Sequence, residues 1–148
     1  VLQTSAEYEE KFEERNLTEI QHLPKEKALV YIDGRRTWRI LANLYNNAAK
    51  YAMTGSRIYT DLKVTEGAVI FSIKNISEQP LNINADQLTE RFIRGDISRS
   101  TEGSGLGLSI AQTLTEMQKG KFELYLDGDL FKATVTFPKV QEEQSTQI

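Results

Sequence analysis

Residues 35–52 read RRTWRILANLYNNAAKYA, the clearest helical pattern in the chain. Apolar side chains recur there at steps of three and four, at Trp38, Leu41, Tyr45, Ala48 and Ala52. This spacing predicts an amphipathic helix from about Arg35 to Ala52 that packs by one apolar stripe. Asp33-Gly34 precedes the pattern, and Gly55-Ser56 follows it as a stop signal.

The face opposite this stripe carries Asn43, Asn47 and Lys50 within a narrow sector, at about 100° per residue. A solvated helix face is the ordinary interpretation. Asparagine, however, costs several tenths of a kcal/mol relative to Ala inside a helix, and Asn46 adds a third amide. Amide oxygens are hard ligands that suit Mg²⁺, and a lysine beside them can balance phosphate charge. The pattern therefore also fits a nucleotide-binding face.

A glycine-rich stretch, Gly103-Ser104-Gly105-Leu106-Gly107-Leu108, opens a second predicted helix. This helix carries apolar residues at the spacing of a buried face, namely Leu106, Ile110, Leu114 and Met117. Lys119-Gly120 marks its end. Glycines let a backbone approach an anion closely, and a helix N-terminus binds anions. A tight loop that enters a packed helix explains the glycines equally well. The stretch lacks the lysine of a Walker loop.

Between these helices, periodicity is absent from Ile76 to about Thr101, apart from a possible helical turn near residues 87–92. A non-periodic loop longer than about 12–15 residues is commonly a lid or binding loop. Arg91, Arg94 and Arg99 lie in it, and guanidinium groups suit phosphate oxygens. A solvated loop with Arg–Asp pairs is the alternative.

The remaining segments predict short elements around these features. They are a helix over 5–15, strands over 17–23, 28–32, 57–65 and 68–74, and a hairpin over 122–137 that turns at Asp127-Gly128-Asp129. Strands in pairs with helices between the pairs favour an α+β fold, a two-layer sandwich. We expect a mixed sheet of about five or more strands, covered on one face by three helices, with a long lid. Residues 1–140 form one predicted domain, and 141–148 a disordered tail.

Composition excludes several classes of chemistry. The 148 residues include no cysteine and one histidine, His22, and the net charge is −3. Disulfides, thiolate nucleophiles and the usual zinc sites are therefore excluded, and a basic nucleic-acid-binding surface is disfavoured. No run approaches the roughly 18 apolar residues of a membrane span. The start at Val1 shows no signal peptide, and we expect the chain to be a fragment.

Taken together, these segments resemble the catalytic ATP-binding domain of bacterial sensor histidine kinases, within the superfamily of type II topoisomerases, heat-shock chaperones and mismatch-repair ATPases. The similarity runs from about Glu7 to Pro138. Residues 43–51 resemble the N box of that family, 90–99 its F-box region, and 103–110 its second glycine box.

The resemblance implies Mg²⁺ with ATP as substrate. Asn47 would bind the metal with Asn43 in support, and Tyr51 would lie against the adenine. Lys50 and Arg99 would contact phosphates, and Arg94 would do so or dock the lid. The second glycine box would complete the ATP site with Gly103, Ser104, Gly105, Leu106 and Gly107.

The activity implied is that of an ATP-dependent protein-histidine kinase. The γ-phosphoryl group would pass to a histidine on a separate dimerisation domain of the same sensor, and a response regulator would be a further partner. The domain would be cytoplasmic, within a parent protein anchored in the cell membrane. His22 lies outside every nucleotide motif, so the phosphoacceptor histidine is expected elsewhere.

Position 43 favours phosphoryl transfer over hydrolysis. In the ATP-hydrolysing branches of the superfamily, a glutamate that activates water typically stands one helical turn before the metal-binding asparagine. This chain has Asn43 there, and a stand-alone ATPase is therefore disfavoured.

The first glycine box departs from the family pattern. Asp-x-Gly-x-Gly is replaced by Asn75-Ile76-Ser77-Glu78-Gln79, so the aspartate that recognises the adenine amino group is Asn75. An amide can accept a hydrogen bond through its oxygen or donate one to a guanine carbonyl. We therefore hypothesise weaker adenine selectivity. A degenerate nucleotide-binding or partner-binding module with little kinase activity is the alternative.

Overall fold

The computed structural model describes residues 1–25, 33–81 and 104–139. The elements are α1 (Leu2–Glu14), β1 (Thr18–His22), α2 (Gly34–Tyr51), β2 (Arg57–Val64), β3 (Ala68–Ile76), α3 (Ser104–Met117), β4 (Lys121–Asp127) and β5 (Leu130–Pro138). Several expectations lie outside the described residues: the strand over 28–32, the lid with its arginines, Gly103 and the tail over 141–148.

The five strands form one sheet in the order β1-β2-β3-β5-β4. β1 runs parallel to β2, whereas the pairs β2–β3, β3–β5 and β4–β5 are antiparallel. The mixed five-stranded sheet with three helices is confirmed, and β3 is central. A parallel neighbour for β1 requires a crossover connection, which α2 supplies between the two strands.

One face of the sheet is buried. Alternate residues of the strands point to it, as the period-two patterns predicted, and the buried apolar ones are Ile58, Phe71, Ile73, Phe131, Ala133, Val135 and Phe137. The helices cover that face with Phe12, Ile40, Leu44, Tyr45, Ala48, Leu108 and Ala111. The core therefore lies between one helical layer and one sheet.

The apolar stripe predicted on α2 is wrong at its N-terminal end. Trp38 is 45% exposed, and its Nε1 donates to the carboxylate of Glu7 at 3.0 Å. Ile40 and Leu44, which the stripe left out, are each 1% exposed. Because α2 contacts α1 and α3 as well as β3, its buried arc is wider than one stripe.

The stripe predicted on α3 is also displaced. Met117 is 55% exposed, and the buried positions are Leu108, Ala111 and Thr115. Small residues on this face let α3 lie close to its neighbours, and the Thr115 hydroxyl donates to the Ala111 carbonyl at 2.7 Å. Leu114 packs against the core as predicted, whereas Met117 does not, and the spacing of large apolar residues missed the small ones that complete the buried face.

The start of α2 agrees with its sequence signal. Asp33 caps α2 by accepting from the Arg35 and Arg36 amides at 2.9 and 3.1 Å. The Arg36 bond, followed by the Arg35 bond, lowers the pKa of the Asp33 carboxyl.

Within residues 1–25, 33–81 and 104–139, no helix is long and apolar enough to cross a bilayer.

Gly120 tests how tightly α3 and the hairpin pack. A Cβ at this position would lie 2.8 Å from the Phe137 ring and 2.9 Å from Thr115 Cγ2, inside van der Waals contact. We expect Gly120→Ala to lower the free energy of unfolding by about 1–3 kcal/mol. Gly67→Ala is the matched control because nothing lies within 4 Å of its Cβ position. Equal denaturant midpoints for the two variants would contradict the packing argument.

Candidate functional site

The polar face of α2 presents its predicted site residues at intervals of one helical turn. Asn43 is half-buried, Asn47 is 8% exposed and Tyr51 is half-buried. Eight residues of α-helix span about 12 Å. Lys50 is exposed near the C-terminal end of the same helix. α2 therefore supplies a row of amide groups with an aromatic ring and a cation at one end.

The N-terminal part of this row lies against the first turns of α3. A Cβ at Gly107 would be 3.8 Å from Asn43 Oδ1, an ordinary van der Waals contact, so the Asn43 side chain lies beside this glycine. Asn43 Nδ2 is buried and has no hydrogen-bond partner among the described residues. The structure thus brings the asparagine face and the glycine-rich stretch together. Ser104, Gly105 and Leu106 form the first residues of α3.

The C-terminal end of the row lies against the end of β3. The Met53 amide donates to the Ile76 carbonyl, and the Glu78 amide donates to the Tyr51 carbonyl, both at 2.8 Å. Ala52 and Ser77 form an isolated β-bridge between these two bonds. Backbone hydrogen bonds therefore fix Tyr51 beside the segment that follows β3.

Asn75 lies just before that segment and is 3% exposed. It shares the helix-facing side of β3 with Phe71 and Ile73, because residues two apart on a strand point the same way. Its Nδ2 atom is buried without a hydrogen-bond partner in the described part of the chain. Asn75 therefore lies buried on the helix-facing side of β3, three residues before Glu78, which bonds Tyr51.

Arg15 is a residue that the sequence did not single out. Its Nη1 donates to the Ala49 carbonyl at 2.6 Å. Its Nη2 lies 3.2 Å from Thr54 Oγ1 and 3.0 Å from Glu78 Oε2. Arg15 therefore holds the last turn of α2 and the segment after β3 together. No local signal could reveal it, because these partners lie 34, 39 and 63 residues away.

The described residues include no cluster of three or more His, Cys, Asp or Glu side chains that could hold a metal. Amide oxygens of Asn47 and Asn43 are the hard donors available on the α2 face. Mg²⁺ is commonly held by one or two protein ligands and completes its shell with water and substrate phosphates. The donor set therefore fits Mg²⁺ bound together with a phosphorylated ligand.

Other features of the described residues involve none of Asn43, Asn47, Tyr51 and Asn75. A cavity of about 400 Å³ opens beside Lys74, Tyr125 and Lys132, and another of about 460 Å³ lies between α1 and β1. His22 is exposed, and its Nδ1 lies 3.0 Å from Asp61 Oδ1. Arg94, Arg99 and Gly103 fall outside the described residues.

Comparison with known proteins finds a matching family and several similar sensor kinases. Residues 32–145 match the family described as histidine kinase-, DNA gyrase B- and HSP90-like ATPase. The histidine protein kinase SaeS of Staphylococcus aureus is 36% identical over 108 residues, which are 69% of this chain and 30% of SaeS. The sensor histidine kinase WalK of Bacillus subtilis is 26% identical over 137 residues, 88% of this chain and 22% of WalK. The chain spans less than a third of either relative.

Solved structures share the fold. The nucleotide-free catalytic domain of the histidine kinase ThkA superposes with a TM-score of 0.78 at 24% identity, covering 93% of this chain and 88% of that one. The histidine kinase AdeS of Acinetobacter baumannii gives a TM-score of 0.71 at 19% identity, covering 94% of this chain and 62% of AdeS. At these identities the likeness concerns the fold alone.

Replacement of Arg15 tests its role in joining α2 to the segment after β3. We expect Arg15→Ala to lower the free energy of unfolding by about 1–2 kcal/mol, because it removes a charged donor from the Ala49 carbonyl. Hydrogen exchange at the Glu78 amide should also accelerate.

Glu78→Gln is the matched control. It removes only the charge of a pair whose carboxylate is 51% exposed, and such surface pairs contribute about 0–1 kcal/mol. If Arg15→Ala is no more destabilising than Glu78→Gln in urea titrations, Arg15 does not join these elements.

Proposed function

Since this chain belongs to the family of histidine kinase-, DNA gyrase B- and HSP90-like ATPases, we propose that it binds Mg-ATP and donates the γ-phosphoryl group to a histidine on a separate domain. One observation carries the proposal: a single helix places Asn43 against Gly107 of α3 and Tyr51 against the end of β3. The proposed phosphate side and base side of the site are thereby about 12 Å apart along α2.

On the phosphate side, Asn47 would hold Mg²⁺ with Asn43 in support. The metal, when bound, neutralises charge on the transferring phosphoryl group. Lys50, Arg94 and Arg99 would contact the phosphates, and the backbone of residues 103–107 would approach them closely. Such a site accelerates transfer by positioning and by charge stabilisation, so it needs no nucleophile of its own.

On the base side, Tyr51 would lie against the purine and Asn75 would contact its polar edge. Burial of Asn75 between the helical layer and β3 supports this assignment, since a buried amide is normally hydrogen-bonded and this Nδ2 finds no acceptor among the described residues. Arg15 would help to position both residues, because its side chain bonds the last turn of α2 and the segment after β3.

Transfer to a separate protein domain is favoured over hydrolysis. Asn43 cannot act as a general base, because an amide does not take up a proton at neutral pH. His22 lies on β1 and bonds Asp61, away from the α2 face. The acceptor would belong to the dimerisation domain of the same sensor, and a response regulator would receive the phosphoryl group from it. The parent protein would be anchored in the membrane, with this domain in the cytoplasm.

A degenerate binding module is the second candidate. Ser77 and Gln79 stand where the family pattern has glycines, and this observation favours a site that holds nucleotide weakly. Such a module would act through contacts with its helical or response-regulator partner.

Phosphotransfer separates these candidates. The chain is mixed with γ-labelled ATP, Mg²⁺ and the separately produced dimerisation domain of its sensor. We expect label on that domain and none on a version whose phosphoacceptor histidine is replaced. Folded protein that transfers no label would favour the binding module, whereas appreciable steady-state hydrolysis by the chain alone would revive the ATPase interpretation.

A thermodynamic cycle tests the metal ligand. We expect Asn47→Ala to weaken binding of a non-hydrolysable ATP analogue in Mg²⁺ by at least about tenfold. Because both changes remove the same interaction, chelation of Mg²⁺ should weaken the wild type similarly and add little to the variant.

Asn46→Ala is the matched control, since it makes the same change one position away on the same helix. Both variants should fold, because Ala has the higher helix propensity. Calorimetric titrations that show equal Mg²⁺ dependence in the wild type and Asn47→Ala would exclude Asn47 as the ligand.

A further inference from the structure

The strongest unexplained feature of the described residues is the amide group of Asn75. The residue is 3% exposed, and its Nδ2 atom is buried without a hydrogen-bond partner within residues 1–25, 33–81 and 104–139. A buried donor left unsatisfied costs about 1–3 kcal/mol, so native proteins keep few of them. An acceptor from outside the protein would remove that cost. The amide therefore points to a ligand that offers an acceptor.

The sheet around Asn75 does not fix the orientation of its amide. Its direct cross-strand neighbours are Ile58 on β2 and Phe131 on β5, which are 0% and 6% exposed. Neither side chain can donate or accept a hydrogen bond. Because Nδ2 makes no bond within the described protein, a half-turn of the amide breaks none at that atom. The neighbouring strands therefore hold neither end of the amide in place.

This freedom distinguishes an amide from a carboxylate. An ionised carboxylate only accepts hydrogen bonds, and it would select a base whose position 6 carries an amino donor. An amide can accept from that amino group and donate to the adjacent ring nitrogen. After a half-turn it can donate to a 6-oxo group and accept from the protonated ring nitrogen beside it.

We propose that this site takes 6-oxopurine nucleoside triphosphates as well as ATP, with Asn75 as the residue that permits both. The inference rests on the proposed function, because it places the purine edge at Asn75. It adds that the substrate class is purine triphosphates in general, with GTP and ITP bound within about tenfold of ATP.

The experiment measures binding to the 148-residue chain in Mg²⁺ by calorimetry. The probes are the non-hydrolysable analogue of ATP, that of GTP, and ITP, which carries the 6-oxo group without the 2-amino group. We expect dissociation constants within about tenfold of one another for the wild type. We expect Asn75→Asp to favour the ATP analogue over ITP by at least a further tenfold or so, because its carboxylate repels the 6-oxo group. Ser77→Ala, two residues along the same strand end, should leave the ratio unchanged.

The outcomes are distinguishable. Binding of the ATP analogue more than about a hundredfold tighter than both 6-oxopurine probes overturns the inference and leaves the proposed function standing. An unchanged ratio in a folded Asn75→Asp variant also overturns it. Binding of none of the three probes overturns the proposed function and the inference together. If Asn75→Asp does not fold, the wild-type ratios decide the matter alone.

Discussion

The position of α2 depends on one partly buried hydrogen bond, from the hydroxyl of Tyr45 to the carboxylate of Glu19 at 2.7 Å. Tyr45 is completely buried in α2. Glu19 on β1 also accepts from Ser5, Thr60 and Gln21 at 2.7, 2.8 and 2.9 Å. One carboxylate thus connects α1, α2, β1 and β2. Burial, and then the bond to Glu19, raises the pKa of the Tyr45 hydroxyl, which keeps it a donor.

This bond sets the rotation of α2 about its own axis. The Tyr45 ring stacks on Phe12 and Phe71, with ring centroids 6.0 and 6.4 Å away, so it cannot turn without losing both contacts. Asn43 and Asn47 are each two residues from Tyr45, which is about 160° around the helix. Holding Tyr45 against the sheet therefore directs both asparagines toward the other side, where α3 begins. The packing that holds Tyr45 in the core therefore also determines the direction in which Asn43 and Asn47 point.

The sequence predicted most of the elements, because local periodicity determines them. It predicted β3 as a strand over 68–74, and the hairpin from Asp127-Gly128-Asp129. It did not predict the buried arcs of α2 and α3, because these depend on which helices lie alongside. It also missed Glu19 and Arg15, whose partners are distant in the chain. The resemblance to the kinase family implied that the asparagine and glycine-rich segments belong to one site, while the contacts around that site depend on residues distant in the chain.

The segment that follows β3 contacts α2 although it lacks the glycines of the family pattern. Glycines would allow the segment after the strand unusual backbone angles, but among the described non-glycine residues only Asn16 and Lys119 have positive φ. Ser77 and Glu78 instead reach α2 through ordinary backbone: Ser77 bridges to Ala52, and Glu78 donates to Tyr51. Arg15 Nη2 also donates to the Glu78 carboxylate. Departure from the glycine pattern is therefore compatible with a fixed backbone after β3. Under the proposed function, the chemistry of Asn75, rather than loop flexibility, would decide which purines bind.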